Sequence, residues 1–229
     1  IVDITTKDPP ILVAAYFGHL DVVKFLASQN GVDLNYHNPY NNRTIAFRAA
    51  EGEHFDVVKF VCEVCNDETI HCCDHNGWNL LSVASQFNST DIVRFLIEQK
   101  GFDVNEPNHP PIVCAIQNQC IDVVKYFLSL PNCELVHLNN GWTAIMAASF
   151  YQVKEALQLL IDSKKVDINA KIGDGTTALM LAAKCGNMEI IKILLENGAD
   201  PEIADNSNMK AIQFLSPDKQ QIFQSLLKH

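Results

Sequence analysis

The sequence predicts an all-α solenoid of about six stacked two-helix units, joined by extended fingers and closed by a C-terminal capping helix. Three observations predict it. The string DVVKF stands at Asp21 to Phe25 and again at Asp56 to Phe60, with near-copies beginning at Asp91, Asp122, Glu155 and Glu189, at successive spacings of 35, 35, 31, 33 and 34 residues. A small pair precedes each copy: Ala14-Ala15, Ala49-Ala50, Ala84-Ser85, Ala115-Ile116, Ala148-Ser149 and Ala182-Ala183. Downstream come VDLN at Val32, FDVN at Phe102 and VDIN at Val166. A fixed period of this length is the mark of a repeat array.

Within each unit the first helix carries the small pair, which lets neighbouring helices approach closely. The second helix has apolar residues at helical spacing, as in Val22, Val23, Phe25 and Leu26, or Ile190, Ile191, Ile193, Leu194 and Leu195. Its first turn holds an acid at the positive end of the helix dipole. A basic residue usually follows three positions later (Asp21/Lys24, Asp56/Lys59, Asp91/Arg94, Asp122/Lys125, Glu189/Lys192), a pairing worth roughly 0.2–0.5 kcal/mol. One unit cannot bury such a stripe alone, so units must stack and share a continuous core.

The stretch GDGTTALMLAAKCGNMEIIKILLENGADPEIAD, from Gly173 to Asp205, resembles an ankyrin repeat almost position by position, and the resemblance covers essentially the whole chain. It implies a stack of helix pairs with short β-hairpin fingers projecting to one side. The expected organisation is a single domain over 1–229, with repeats near 7–35, 39–71, 74–105, 106–135, 138–169 and 172–203 and a cap over 204–229. In that cap Ser216 reads as N-cap and Pro217 as the first helical residue, with Ile222, Phe223, Leu226 and Leu227 forming the apolar face. The N-terminal repeat shows no such cap, and the chain reads as a fragment of a longer array. Four departures from the repeat stand out. Arg48 and Ala46 occupy slots where leucine is usual, the fourth finger (NEPNHPP) is short, Gln158 breaks the acid–base pair, and Gln152 stands where an inter-helix glycine is usual.

Composition narrows the function. A net charge of −10 disfavours nucleic acid, whose affinity for proteins comes mainly from clustered Lys and Arg. No apolar run reaches the length of a bilayer span. The chain has eight cysteines and opens without a charged-then-apolar leader, so reduced thiols and a cytoplasmic location are expected. Half of those cysteines fall in VCEVCNDETIHCCDH, Val61 to His75, which looks like a zinc motif. Alignment with the other repeats dissolves most of it. Cys62 takes a core slot of a second helix, Cys65 a helix end, and Cys72 and Cys73 point to opposite faces of an extended segment. Four ligands would converge only if this finger distorted, so no metal and no cofactor are expected, with a metal-stabilised finger as the alternative. Phosphate-cradling, H-E-x-x-H and G-x-S-x-G motifs are missing, so no catalysis is expected.

Function then belongs on the surface that stacking does not use. The ankyrin resemblance implies the concave side, made of finger tips and the exposed face of each first helix. Both tryptophans, Trp78 and Trp142, fall in one slot just after a finger glycine. The two slots after the small pair hold Tyr16-Phe17, Glu51-Gly52, Gln86-Phe87, Gln117-Asn118, Phe150-Tyr151 and Lys184-Cys185. His75, Asn76, Asn139 and Asn140 flank the tryptophans with hydrogen-bonding groups. The candidate partner-binding set is therefore Tyr16, Phe17, His75, Asn76, Trp78, Phe87, Asn139, Asn140, Trp142, Phe150 and Tyr151, since buried Trp and Tyr dominate interaction hot spots. Two repeats separate the tryptophans, roughly 20 Å at about 10 Å per layer. The competing reading is that these rings pack on neighbouring fingers and fill the gap left by the short fourth one. The expected activity is binding of a protein or peptide partner by a monomer. The alternative is a regulatory or targeting segment of a larger enzyme or channel.

Overall fold

A computed structural model describes residues 8–135 and 142–227 of the chain. Helices alternate as hairpins throughout. The chain divides into two compact units, Ile1–Ala115 and Ile116–His229, and the division falls inside the fourth hairpin.

In the first unit the hairpins are α1 (Pro10–Tyr16) with α2 (Leu20–Ala27), α3 (Ile45–Glu51) with α4 (Phe55–Val64), and α6 (Leu80–Ala84) with α7 (Thr90–Lys100). A one-turn helix, α5 (Asp67–Ile70), lies between α4 and the third finger. First helices pack on first helices (α1 on α3, α3 on α6) and second on second (α2 on α4, α4 on α7). The division falls within α8 (Pro111–Gln117). In the second unit α9 (Ile121–Ser129) is followed by α10 (Ala144–Phe150) with α11 (Lys154–Asp162), and α12 (Ala178–Cys185) with α13 (Met188–Glu196). A 3₁₀ turn, Ala211–Phe214, packs on α12, and α14 (Pro217–Leu226) packs on α13. The strand content is slight: the described fingers hold two isolated antiparallel bridges, Cys73 with Asn79 and Ala204 with Lys210. No described helix is long and apolar enough to cross a membrane.

The recurring sequence features have local causes. The small pairs are buried, and where the second member is serine its hydroxyl donates to the carbonyl four residues back (Ser85 to Leu81, Ser149 to Ile145, both 2.8 Å). That bond removes the cost of burying a hydroxyl. Three first helices start at an Asn or Thr cap: Asn79 accepts from the Ser82 N–H at 2.8 Å, and Thr143 and Thr177 from the N–H three residues on at 3.3 Å, whereas Pro9 and Thr44 precede α1 and α3 without a side-chain cap bond. In V-D-x-N the aspartate accepts from the asparagine N–H at 2.9 Å (Asp33 from Asn35, Asp103 from Asn105, Asp167 from Asn169). The freed asparagine side chain then reaches the next repeat, Asn35 accepting from the Asn66 N–H and Asn169 from the Asp200 N–H. The motif is thus a turn and a staple to the neighbour.

Lysines make a second kind of staple. Lys100 Nζ donates to the Cys62 carbonyl at the end of α4, Lys165 to Leu128 and Leu130 at the end of α9, and Lys219 to Gly186 after α12. Each satisfies carbonyls that a helix end leaves without partners.

Four expectations change in detail. Of the five acid–base pairs, Asp122 and Lys125 stand 3.5 Å apart, whereas Arg94 and Lys192 reach a glutamate one turn on, Glu98 and Glu196. Lys24 instead lies over the Phe60 ring, 5.4 Å from its centroid. Arg48, at a leucine slot, is held in the core by Asp8 at 2.6 Å and Glu51 at 2.9 Å, and Glu51 also pairs with Arg43. Ser216 holds the N-cap position of α14 without a side-chain cap bond. The inter-helix turn is left-handed whether or not it has glycine: Gly18 and Gly186 adopt φ of 73° and 67°, and Glu53, Asn88, Gln119 and Gln152 adopt 63°, 49°, 59° and 62°. Stacking enforces the turn against the side chain's preference.

Candidate binding surface

The third finger is organised by Asp74, whose side chain is 1% exposed. Its Oδ1 accepts from the Asn76 and Trp78 N–H groups at 2.8 and 3.0 Å. Its Oδ2 takes Arg43 Nε and Nη2 of the preceding finger at 3.1 and 3.0 Å. This carboxylate therefore fixes the loop that presents Trp78. His75 is tied to the finger before it, its N–H donating to the Asn41 carbonyl at 2.9 Å and its Nδ1 lying 3.1 Å from the Tyr40 carbonyl. Tyr40 is a large exposed ring on that finger, and the sequence reading missed it. The available signal was an aromatic between Pro39 and the Asn41-Asn42 turn, outside the slots considered.

Trp78 is half-buried. The His109 ring stacks on it with centroids 3.9 Å apart and planes 10° from parallel, while His109 Nε2 lies 2.9 Å from the Asn76 carbonyl. The short fourth finger is responsible: Ser82 Oγ donates to the His109 carbonyl at 2.6 Å and holds the segment down beside Trp78. Packing on a neighbouring finger and display at the surface thus both apply to this ring. Nearby in sequence, Phe87 is half-buried at the end of the third first-helix. At the first repeat Tyr16 and exposed Phe17 meet edge to face at 5.2 Å, and His19 stacks on Phe17 at 6.4 Å.

In the second unit Trp142, Phe150 and Tyr151 come together. Trp142 meets Phe150 edge to face at 5.6 Å, and Phe150 meets Tyr151 likewise at 5.2 Å, with Phe150 exposed. Edge-to-face contacts fix ring orientation and contribute about 0.5–1.5 kcal/mol beyond area burial. Asn139 and Asn140 lie outside the described residues. Trp78 and Trp142 belong to different units.

The cysteines behave as small apolar residues. Burial pushes the thiols of Cys62 and Cys114 up to about 12 and those of Cys65, Cys72 and Cys133 up to about 11. Among the described residues no group of three or more His, Cys, Asp or Glu side chains is placed to hold a metal ion. Cys73, exposed, is therefore expected to alkylate with iodoacetamide at pH 8 well ahead of Cys62 and Cys114, whose thiols are buried and pushed far up. Peptide mass spectrometry over a time course checks this, and equal labelling of Cys62 and Cys73 would contradict the burial of α4.

Comparison with known proteins agrees with this architecture. A family model described as ankyrin repeats (3 copies) matches residues 11–108, 62–138 and 112–205. Alpha-latrocrustotoxin-Lt1a of Latrodectus tredecimguttatus is 21% identical over 267 residues, covering 93% of this chain and 18% of the toxin. Ankyrin repeat and KH domain-containing protein mask-1 of Caenorhabditis elegans is 28% identical over 237 residues, covering 87% of this chain and 9% of that protein. The chain thus spans less than a fifth of the length of either relative. The crystal structure of the human ASB11 ankyrin repeat domain superposes with a TM-score of 0.80 at 23% identity, covering 96% of this chain and 97% of that one. The repeat hairpins, their stacking and the extent of the family match together make this chain a member of the ankyrin repeat family.

Proposed function

We propose that the chain is a binding module that holds a protein or peptide partner on the surface formed by its finger tips and first helices, and performs no catalysis. Ankyrin repeats are protein–protein interaction modules, and the choice of surface is carried by one observation. Phe150, a large ring outside the core, stands exposed between Trp142 and Tyr151 with both contacts edge to face. Oriented aromatics left at a surface are what an interaction hot spot requires, because they bury much area at small rotamer cost. His75, Asn76 and Trp78, with Phe17, Tyr16 and Phe87, extend the same role to the first unit, and Asn139 and Asn140 to the fifth finger. The partner is a protein rather than nucleic acid, in keeping with the net charge of −10, and the module works as a monomer in the reducing cytoplasm.

A peptide ligand selected on the immobilised chain from a display library, titrated by calorimetry, tests the surface. Trp142→Ala and Trp78→Ala are each expected to weaken binding by more than about 1 kcal/mol while melting near the parent chain. Severe loss of melting temperature with unchanged affinity would move these rings to a structural role. A second reading has support in the lengths of the relatives: mask-1 is named for a KH domain beside its ankyrin repeats, so such arrays do accompany other domains. On that reading the chain is a regulatory or targeting segment of a larger enzyme or channel, and its partner is a neighbouring domain of its own polypeptide.

A further inference from the structure

We propose that the hollow between the inter-helix turns of the second and third repeats binds an arginine side chain of a protein partner, as a site additional to the finger-tip surface. Equivalent positions along the array carry the argument. Each second helix opens on a pair whose second member is acidic: Leu20-Asp21, Phe55-Asp56, Thr90-Asp91, Ile121-Asp122, Lys154-Glu155 and Met188-Glu189. In the second unit lysines meet these acids. Lys154 of the fifth repeat pairs with Glu189 of the sixth, and Lys125 lies 3.5 Å from Asp122 and 3.8 Å from Glu155 of the next repeat. The second repeat has Phe55 at the Lys154 position, so the acid that follows it in the third repeat, Asp91, receives no lysine. Asp91 is exposed, and the base one turn on, Arg94, reaches Glu98 instead. Among the described residues neither Asp91 nor Glu53 has a basic group at ion-pair distance.

Between the two turns lies an open hollow of about 300 Å³, lined by Glu53 and Phe55 on one side and by residues 88–92 on the other. The Phe55 ring is 38% exposed, and Phe95 fixes its orientation edge to face at 5.7 Å. Two unpaired carboxylates beside an exposed ring suit a guanidinium. It is planar and always charged, forks onto a carboxylate with two N–H donors, and stacks on aromatic faces. The hollow lies at the start of α7, where the helix dipole opposes a cation. The Lys154–Glu189 pair, at the start of α13, shows that an acid in the first turn outweighs that opposition. Charge farther out acts in the same direction. Residues 1–115 carry fifteen Asp and Glu against seven Lys and Arg, a net −8, whereas residues 116–229 carry twelve against ten, a net −2. Such a field draws a basic segment to the first unit and turns an acidic one away.

The test titrates the isotope-labelled chain with the blocked peptide acetyl-Gly-Arg-Gly-amide at low salt, where ion pairing is least screened, and follows amide chemical shifts. The largest shifts are expected at Glu53 and over residues 88–92. The same peptide with citrulline, which keeps the shape of arginine without its charge, is expected to bind at least about fivefold more weakly, and Asp91→Asn to weaken the arginine peptide by a similar factor. Phe55→Lys installs the ammonium that Lys154 supplies in the fifth repeat and is expected to abolish the shifts. If that variant unfolds, Asp91→Asn carries the test by itself. Trp142→Ala, which probes the finger-tip surface, is expected to leave this titration unchanged, so the two sites fail separately. Shifts spread evenly over the acidic side chains of the first unit overturn the proposal. So does equal binding of the citrulline peptide, or a folded Asp91→Asn or Phe55→Lys chain that binds the arginine peptide as the parent does.

Discussion

Replacing Asp74 with alanine is expected to lower stability by about 3–5 kcal/mol, which for a chain of this size is a fall in melting temperature of roughly 10 °C. The reason is the number of groups one buried carboxylate serves. Two loop N–H groups and two guanidinium nitrogens of Arg43 all converge on it. Truncation strands the donors and leaves a half-buried cation facing a void, with Glu51 as its remaining carboxylate. Asp74→Asn separates the two contributions: an amide oxygen can still accept from the Asn76 and Trp78 N–H groups but gives up the ion pair, so a smaller loss is expected. Calorimetry on both variants decides the matter. An Asp74→Ala protein that melts within about 2 °C of the parent would show that the loop is held by its neighbours and not by this side chain.

Phe127→Ala is expected to cost a comparable 3–5 kcal/mol, through a cavity rather than an electrostatic defect. Phe127 is fully buried in α9, at the position held by Leu26, Val61, Leu96, Leu160 and Leu194 in the other repeats. It is the one aromatic in that series. Phe127→Leu restores the residue type of most of the other copies and should cost less than about 1.5 kcal/mol if the site can close around it. Urea unfolding measures both. If leucine is as damaging as alanine, then the fourth repeat depends on the ring's shape and not merely on its volume.

Periodicity made the architecture readable because burial recurs at the same slots. Cys62 could be placed in the interior by alignment with its siblings, and it is buried. What alignment could not supply were contacts peculiar to one repeat. Arg48 looked like a weak point, and its partner Asp8 lies a full repeat earlier, invisible to any reading of the helix alone. The lysines assigned to the acid three residues back follow whichever partner the stack brings closer, as Lys24 does over Phe60. At the candidate surface the slot rule selected Trp78, Trp142, Phe150 and Tyr151. The stacking of His109 on Trp78 depends on how a short finger settles against its neighbour, and no local pattern encodes that. Tyr40 escaped because it sits at a finger tip outside the slots the repeat consensus marks.

The lysine staples bear on how the array behaves under load. Lys100 and Lys165 each belong to one repeat but close the helix end of the repeat before it. Pulling the C-terminal end away would thus break the Lys165 bonds as the fifth repeat detaches, fraying the end of α9 before that helix bears any tension itself. Pulling from the other end leaves the lysine-capped helix ends intact and strands a donor instead, because Asn35 departs with the acceptor of the Asn66 N–H. The two ends of the array should therefore rupture at different forces, giving a mechanical polarity to a stack whose repeats look alike.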